Sequence, residues 1–547
     1  MAKKVLILIL LFIGIIFRVY KVDSIPPGFF ADEIALAINA KTIAEDGVDE
    51  FGNRFPFGFE SFSDYKLPGY IYLTALIYKF LGSSILTIRL IALFSSILSI
   101  PLIGYLAYLL FPKKRYFPYI TMAILAISPY HIHFGRIAYE TMLATTFFLL
   151  FLISFVHVIK KNKRRLWLFL GTIFLFLSSW TYHAPKFIIP VFLFLLFFWG
   201  AIVKSFKINR KNTIRASLFF LLVTFVSYIP FIINPEIDKR PFGYLSTFRK
   251  SDLLTIASSW FRIWDFEFLF LKGDPFGFRH SNQETGLFLG VMIFPLMAGI
   301  GYFLKKLDLK NFSHVFIILL LITAGLPSSL THFAPYGPRL LPMIIPITIL
   351  LALGTERLIV LIVRQKDRVR YLFSFLFLVV LFYQIGYYAH IYFVHFPKKS
   401  LSEFPSASIE VVKFIKEEYN ENSQKVIYFL NGKNCLAWGH DELKLWYFVD
   451  LENREMIKWN NLYREIRYNT DSPFFSFSLD RPRFVYKNNL ILNASHSEMS
   501  QASSSSLLVR CGIHGPDINK DSEKIVKRFY MYPREKRDII YVVSEKL

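Results

Sequence analysis

Residues 141–159 read TMLATTFFLLFLISFVHVI. This stretch determines the fold class because it indicates that the chain is embedded in a lipid bilayer. It contains no Asp, Glu, Lys or Arg, and its length is close to the roughly 20 apolar residues that a helix needs to cross a bilayer. Apolar segments of this kind recur as far as residue 396, whereas residues 397–547 contain none. The sequence therefore predicts a transmembrane domain over residues 1–396 and a soluble domain over residues 397–547.

The composition agrees with a bilayer as the main solvent. Of 547 residues, 54% are hydrophobic and 60 are Phe, which is far from the usage of soluble domains. The net charge of +23 would suit a nucleic-acid partner. In so hydrophobic a chain, however, an excess of Lys and Arg is typical of loops that stay in the cytoplasm. We therefore expect a lipid bilayer and no nucleic acid as partner.

Eleven apolar segments are predicted to be membrane helices. They cover residues 5–20, 86–111, 117–130, 141–159, 166–180, 187–203, 214–233, 286–304, 312–326, 340–362 and 371–393. The first segment follows Lys3 and Lys4 and is not followed by the small-residue cleavage site of a signal peptide. We therefore expect it to remain as the first span.

The connectors between these segments alternate in charge. The basic connectors are residues 3–4, 113–115, 160–165, 204–211, 305–310 and 364–370. The positive-inside rule places them in the cytoplasm, together with the N-terminus. The remaining connectors and the C-terminal domain then face outward. We call these connectors the first to fifth outer loops, at residues 21–84, 130–140, 181–186, 234–285 and 327–339.

The outer loops carry most of the polar chemistry of the membrane region. Their motifs are PPGFFADE (26–33) and YKLPGY (65–70) in the first loop, YHIHFGRIAYE (130–140), TYHAPK (181–186) and THFAPYGPR (331–339). Ionisable groups at a membrane edge are costly to desolvate unless they are paired or used. Their collection on one side predicts a polar cavity with a function.

Each motif alone also has a purely structural interpretation. Asp32 fits a helix N-cap, and Lys66 fits a side chain that extends towards lipid headgroups. Arg136 and Glu140 have the spacing of a helical ion pair. These interpretations stay open when each loop is judged by itself.

Taken together and in order, the motifs resemble the GT-C membrane glycosyltransferases, and among them the bacterial protein O-mannosyltransferase group and the lipid A aminoarabinose transferase (glycosyltransferase family 39). The resemblance covers residues 1–360. It implies an α-helical polytopic GT-C fold that moves a sugar, with inversion, from a polyprenyl-phosphate donor to a protein, lipid or glycan acceptor. The reaction would take place at the outer face of the plasma membrane.

The resemblance also suggests which side chains react. Displacement at an anomeric carbon requires a base for the acceptor hydroxyl and cations for the departing phosphate. By analogy with inverting glycosidases, Asp32 is the predicted base. Glu33 is predicted to orient Asp32 or to bind the acceptor. Lys66 and Arg339 are predicted to bind the lipid phosphate, the arginine in a bidentate manner.

Seven further side chains are predicted to form the sugar or acceptor site, namely Tyr65, His133, Arg136, Glu140, Tyr182, His183 and His332. No metal or other cofactor is expected, because Lys66 and Arg339 supply positive charge and the chain has no Asp-x-Asp motif. His131 and His133 would bind a metal only together with ligands from elsewhere.

The C-terminal domain is predicted to be a small mixed α/β domain. Residues 411–419 have helical spacing, and residues 425–430 and 539–543 resemble strands. We expect a structural or acceptor-binding role for it. Cys435 and Cys511 both fall in this domain, where either one disulfide or two free thiols would agree with the sequence.

Two other classes of function compete with a transferase. A membrane transporter or lipid-linked glycan flippase would place charges near the middle of the bilayer, and the predicted spans have almost no acids at their centres. A non-catalytic scaffold that displays the C-terminal domain would leave Asp32, Lys66 and Arg339 without a role.

Overall fold

The structure, a computed structural model, describes most of the membrane region and part of the C-terminal domain. The described residues are 2–61, 64–160, 164–203, 210–233, 253–331, 334–418, 426–430, 447, 452–468, 484–486, 490–492, 499, 501–502, 504, 506–511, 523–532 and 537–546. His332, which is predicted to contact the sugar, and Cys435, which is one of the two cysteines, lie outside the described residues.

Helices dominate the part of the chain up to residue 418. They are α1 Ala2–Val19, α2 Ala31–Asp46, α3 Pro68–Leu81, α4 Ile85–Leu110, α5 Phe117–Ala126, α6 Pro129–Phe134, α7 Glu140–Ile159, α8 Arg164–Ser179, α9 His183–Ile202, α10 Arg210–Ile233, α11 Leu253–Arg262, α12 Ile293–Lys305, α13 Phe312–Ser329, α14 Gly337–Leu340, α15 Ile344–Val363, α16 Asp367–His390, α17 Phe396–Lys399 and α18 Ser406–Glu418. Short π-helical turns occur at Glu267–Leu271 and Ile391–His395. A further helix, α19, spans Asn453–Tyr468.

Each of the eleven predicted apolar segments contains a helix, and the predicted helical membrane fold is confirmed. Within the described ranges, seven helical runs are long and apolar enough to cross a membrane, judged by length and composition. These runs are Ile85–Leu110, Glu140–Ile159, His183–Ile202, Arg210–Ile233, Phe312–Ser329, Gly337–Val363 and Asp367–Ser402. The protein is therefore an integral membrane protein.

One predicted segment ends earlier than expected. The apolar pattern of residues 117–130 suggests one helix, but α5 ends at Ala126 and α6 begins at Pro129. Ser128 is the N-cap of α6, and its side-chain oxygen accepts a hydrogen bond from the backbone N–H of His131 at 3.4 Å. A Ser cap followed by Pro at the first helical position is a strong start signal for a new helix.

Contacts divide the chain into two compact units. Unit 1 consists of Met1–Val22, Phe57–Tyr70 and Arg89–Phe396, and unit 2 consists of Asp23–Pro56, Ile71–Ile88 and Pro397–Leu547. The first outer loop is thus shared between the units. Asp32 and Glu33 belong to unit 2, whereas Lys66 belongs to unit 1.

Unit 1 is a bundle in which neighbouring helices pack in pairs, and α12 with α15 is one of its most extensive pairs. Glycines allow their close approach. A Cβ atom on Gly299 of α12 would clash with the carbonyl oxygen of Leu350, and one on Gly354 of α15 would clash with the carbonyl oxygen of Pro295. Small residues at a helix interface give van der Waals packing in a lipid solvent, where no hydrophobic force drives helices together.

Unit 2 contains a six-stranded mixed sheet with strand order β4-β5-β3-β6-β8-β7. Two short strands of the first outer loop, β1 Phe59–Ser61 and β2 Asp64–Lys66, belong to unit 1, and the sheet consists of β3 Ile427–Leu430, β4 Phe484–Tyr486, β5 Leu490–Leu492, β6 Leu507–Cys511, β7 Glu523–Tyr532 and β8 Arg537–Lys546. Strand β3 runs parallel to β5 and β6, and the other pairs are antiparallel. Helix α18 packs against β7 and β8. The predicted mixed α/β character is confirmed.

A buried ion pair connects three strands of this sheet. The guanidinium of Arg510 donates to both carboxylate oxygens of Glu523, at 2.8 Å for one of them, and to the hydroxyl of Ser544 at 3.1 Å. Ser544 in turn donates to Glu523 at 2.7 Å. Burial acts to raise the pKa of Glu523, but the hydrogen bonds from Arg510 and Ser544 outweigh it and hold this pKa below its ordinary value.

Replacing Gly299 by Ala should destabilise the bundle by about 1–3 kcal/mol, because the added methyl group overpacks the contact with α15. Thermal unfolding in detergent micelles measures the effect. Gly301→Ala is the matched control on the same helix, since nothing lies within 4 Å of a Cβ there. Equal behaviour of the two variants would show that α12 and α15 do not pack closely.

Replacing Glu523 by Gln should destabilise the C-terminal domain by on the order of 3 kcal/mol, because Arg510 is left buried without its counter-charge. The pKa of Glu523 is lowered in the fold, so the stabilisation is complete at neutral pH and is lost as the pH falls below about 4.5. Thermal unfolding of the full chain between pH 3 and pH 7 measures both effects. Glu455→Gln, which removes a surface pair with Lys458, should change stability by less than about 1 kcal/mol.

Candidate functional site

The first and third outer loops meet within unit 1. The backbone N–H of Gly69 donates to the carbonyl of Trp180 at 3.1 Å, and Leu67 and Trp180 share a buried cluster with Phe231. Lys66 lies directly before this contact, at the end of β2, and its side chain is buried. The interpretation of Lys66 as a side chain extended towards headgroups is therefore wrong for this structure.

Aromatic rings connect the third loop to the fifth. The ring of Tyr182 lies 6.2 Å from that of Tyr139, which lies 6.2 Å from the imidazole of His280. The imidazole of His280 contacts Tyr336 edge to face at 4.9 Å. The guanidinium of Arg339 in turn lies 4.9 Å from the centre of the Tyr336 ring. Together with the contact between Gly69 and Trp180, these contacts connect described residues of all five outer loops within unit 1.

Asp274 of the fourth outer loop lies at the centre of this assembly and is completely buried. One carboxylate oxygen accepts from the backbone N–H of Phe276 at 2.7 Å. The other accepts from the backbone N–H of Gly337 and lies 3.2 Å from Nδ1 of His280. Neither Asp274 nor His280 is among the site residues predicted from the sequence. A lone Asp and a lone His in a long loop give no signal, because their partners lie in other loops.

Tyr130 contacts the same group of residues. Its hydroxyl donates to the carbonyl oxygen of Gly337. Burial raises the pKa of Tyr130 well above its ordinary value, and the nearby charge of Asp274 adds to the effect. Tyr130 is therefore a permanent hydrogen-bond donor at neutral pH.

The two histidines of the second outer loop are held by protein groups. Nδ1 of His131 accepts from the guanidinium of Arg18 at 2.8 Å. In His133, Nε2 donates to the carbonyl oxygen of Arg279 at 2.8 Å and Nδ1 accepts from the hydroxyl of Tyr392 at 3.0 Å. Burial lowers the pKa of His133 to about 4. Both ring nitrogens of His133 thus connect protein segments, and a sugar contact would have to replace one of these bonds.

Arg136 lies at the end of α1. Its guanidinium donates to the carbonyl oxygens of Phe17, Arg18 and Lys21 at 2.7, 3.0 and 3.1 Å. The last carbonyls of a helix lack partners within the helix, and a cation is favourable there. Glu140, buried, is the first residue of α7. The observed contacts thus give Arg136 a capping function.

Asp32 and Glu33 lie in the first turn of α2 in unit 2. The N-cap of this helix is Phe30, without a side-chain hydrogen bond, so the interpretation of Asp32 as an N-cap is wrong. Both carboxylates instead lie where the helix dipole favours negative charge. Glu33 is completely buried and Asp32 is partly exposed.

Within unit 2, residues of the C-terminal domain form hydrogen bonds with α2 and with the residues that follow it. Nζ of Lys41 donates to the carbonyl oxygen of Tyr447 at 3.1 Å. Asn460 of α19 donates to the carbonyl oxygen of Glu50 at 3.0 Å, and the side chain of Glu50 accepts from Asn39 of α2 at 3.0 Å. The helix with Asp32 and Glu33 is thus fixed by polar contacts of the C-terminal domain.

The remaining predicted site residues lie in the loops of unit 1. Tyr65 is part of β2 and partly buried, and His183 is the buried first residue of α9. Tyr182 directly precedes α9 and is buried as well. Among the described residues, no group of three or more His, Cys, Asp or Glu side chains is arranged to hold a metal ion.

At the level of sequence, no protein-family model and no curated protein matches the chain. At the level of structure, the whole chain is similar to ArnT from Cupriavidus metallidurans. The apo form gives a TM-score of 0.55 with 11% identity and covers 100% of this chain and 99% of ArnT. The form bound to undecaprenyl phosphate gives 0.53 with 11% identity, covering 100% and 98%.

The chain is also similar to the oligosaccharyltransferase AglB from Archaeoglobus fulgidus, in complex with an inhibitory peptide and a dolichol-phosphate. The TM-score is 0.53 with 14% identity over 81% of this chain. The chain spans only 63% of the length of AglB. These similarities are similarities of fold, and they show that the chain has the GT-C fold.

Replacing His133 by Gln should reduce the pH dependence of stability. The pKa of His133 is about 4 in the fold against about 6.5 in the unfolded chain. Its contribution is therefore complete above pH 6.5 and is lost as the pH falls towards 4, at a cost of about 3 kcal/mol. Thermal unfolding in micelles between pH 4 and pH 8 measures this slope. His390→Gln, at an exposed position, is the control, and an unchanged slope in His133→Gln would contradict the assignment.

Proposed function

We propose that the protein is an inverting glycosyltransferase that moves a sugar from a polyprenyl-phosphate donor to a protein, lipid or glycan acceptor. The observation that carries the proposal is the meeting of the outer loops, with Lys66 and Arg339 among them, in a chain with the GT-C fold. ArnT binds undecaprenyl phosphate and AglB binds a dolichol-phosphate, which supports a lipid-phosphate donor here.

The proposed location is the outer face of the plasma membrane. The alternation of basic and non-basic connectors supports a cytoplasmic N-terminus and an extracytoplasmic C-terminal domain. A polyprenyl-phosphate sugar is itself held at the membrane by its lipid, so a site at the membrane edge meets the donor where it resides.

Lys66 and Arg339 are the proposed ligands of the lipid phosphate. Negative charge grows on the phosphate as the glycosidic bond breaks, and fixed cations stabilise this transition state more than the ground state. Burial of Lys66 limits competition from water for its ammonium. Arg339 is only partly buried, and its guanidinium lies over the ring of Tyr336.

Asp32 is the proposed general base and Glu33 the residue that orients it or binds the acceptor. A base must reach the acceptor hydroxyl, and the partial exposure of Asp32 suits that role. The complete burial of Glu33 suits a supporting role. The contacts of the C-terminal domain with the α2 segment support a structural role for this domain.

For the sugar, we propose contacts from Tyr182 and His183, with Tyr65, Glu140 and His332 as further candidates. Tyr182 belongs to the aromatic series that ends at Arg339, and tyrosine offers both a flat ring and a hydroxyl for a sugar. The observed hydrogen bonds of Arg136 and His133 go to other groups of the protein. We therefore propose that these two residues position the surrounding loops and do not contact the sugar.

Replacing Asp32 by Asn should abolish transfer of labelled sugar from a polyprenyl phosphate in reconstituted membranes, with a loss of at least about 100-fold in kcat because the acceptor loses its base. Asp23→Asn, an exposed carboxylate of the same outer loop, is the matched control. Unchanged turnover in Asp32→Asn would remove Asp32 as the base. Turnover that EDTA abolishes and a divalent ion restores would contradict the proposed metal independence.

Replacing Lys66 or Arg339 by Ala should weaken binding of the lipid donor by about 1.5–3 kcal/mol each, because each variant removes a charged hydrogen bond to phosphate. Titration with polyprenyl phosphate in micelles gives the affinities. Lys79→Ala, at an exposed position of α3, should bind as the wild type does. Normal affinity in both site variants would exclude the phosphate assignment.

A further inference from the structure

Asp274 is a buried carboxylate that the proposed reaction does not use. A charge without exposure to solvent is expensive unless hydrogen bonds compensate it. Asp274 is completely buried in a loop that otherwise contains turns. The contacts that compensate its charge therefore indicate what it does.

The two carboxylate oxygens of Asp274 connect two loops that are distant in sequence. One oxygen accepts from the backbone N–H of Phe276, which closes a turn within the fourth outer loop. The other accepts from the backbone N–H of Gly337 in the fifth outer loop. An ionised carboxylate accepts at both oxygens, whereas an Asn side chain has only one acceptor oxygen. The carboxylate thus ties the two loops together.

The backbone around Gly337 is held from a second side. The hydroxyl of Tyr130 donates to the carbonyl oxygen of Gly337, and the hydroxyl of Thr141 donates to the carbonyl oxygen of Pro338 at 2.7 Å. A Cβ atom on residue 337 would clash with the carboxylate of Asp274, so only Gly permits this approach. Helix α14, which begins at Gly337 and carries Arg339, is therefore fixed at its start.

A second route leads from Asp274 to Arg339 through side chains. Nδ1 of His280 lies 3.2 Å from the carboxylate of Asp274. The other contacts are those of the aromatic series, in which His280 packs on Tyr336 and Tyr336 lies beneath the guanidinium of Arg339. Asp274 thus affects both the backbone and the ring on which Arg339 rests. As an anion it would repel a phosphate, so it is not itself a ligand of the donor.

We propose that Asp274 is a positioning residue that fixes the fifth outer loop, so that Arg339 is preset to bind the phosphate of a lipid-linked donor. The proposal rests on the proposed function, because it assigns Asp274 a purpose in donor binding. Preset ligands cost less conformational entropy on binding than mobile ones. A loose loop should therefore weaken donor binding while Arg339 itself is still present.

The test measures binding of sugar-free polyprenyl phosphate to the full chain in micelles. Asp274→Asn should weaken binding by on the order of tenfold or more, the effect of one charged hydrogen bond. In the Arg339→Ala background the same change should have little further effect, because Asp274 acts through Arg339. The matched control is Asp265→Asn, an exposed residue whose carboxylate closes a turn with the N–H of Glu267 at 3.1 Å.

Hydrogen exchange of the Gly337 amide gives a readout that is independent of the ligand. It should be slow in the wild type and in Asp265→Asn and faster in Asp274→Asn. If Asp274→Asn fails to fold, Tyr130→Phe, which removes the donor to the carbonyl oxygen of Gly337, should show the same faster exchange and weaker binding.

The possible outcomes separate the two proposals. Wild-type binding in Asp274→Asn with impaired binding in Arg339→Ala would overturn the positioning role alone. Independent, multiplying effects of the two changes would overturn it as well. Wild-type binding in Arg339→Ala would overturn the assignment of Arg339 as a phosphate ligand, whatever the amide exchange shows, and wild-type binding in Lys66→Ala as well would overturn the phosphate assignment of the proposed function.

Discussion

Two buried guanidinium groups hold the end of α1 to the loops that follow α5. Arg18 donates to the carbonyl oxygens of Gly14 and Ala126, both at 2.7 Å, and to His131. Arg136 donates to the carbonyl oxygens of Phe17 and Arg18 near the end of α1 and of Lys21 just beyond it. Inside a helix bundle, water does not reach the backbone carbonyls at a helix end. Each carbonyl without a hydrogen-bond donor would therefore reduce the free energy of unfolding by several kcal/mol in a lipid environment. The position of α1 and the conformation of the second outer loop therefore depend on one another, and the meeting of the outer loops depends on both.

The helices were predictable because the bilayer leaves the chain few choices. A charge-free stretch such as 141–159 must satisfy its backbone internally, and a helix does so without any partner. Local signals also determine where helices begin and end. The Ser128 cap marks the start of α6, although the continuous hydropathy of residues 117–130 hides this boundary. The sheet of unit 2 was predictable only in part, since strand pairing depends on residues far apart in sequence. Its register, for example Ile427 opposite both Leu490 and Leu507, cannot be read from local composition.

In the candidate site, too, some features were predictable from local sequence and others depend on residues far apart in the chain. Residue types in the outer loops indicated Lys66, Tyr182 and Arg339, because costly side chains at a membrane edge suggest a function. The position of Asp274 could not be predicted, since it depends on a backbone N–H that lies 63 residues further along the chain. Burial also distinguishes two adjacent acidic residues that the sequence alone could not distinguish. Asp32 and Glu33 are adjacent acids, yet only the first has an exposed surface.

The division of the first outer loop between the two units has a consequence for how the chain can be cut or exchanged. The polypeptide passes from one unit to the other after residues 22, 56, 70, 88 and 396, so no single cleavage point separates them. In α2 every residue from Glu33 to Ile43 is buried. A fragment that begins at residue 397 would lack this helix and would expose the surface that the helix covers. The C-terminal domain is thus not separable from the rest of unit 2, and grafting it onto another membrane region would require residues 23–56 and 71–88 to be moved with it.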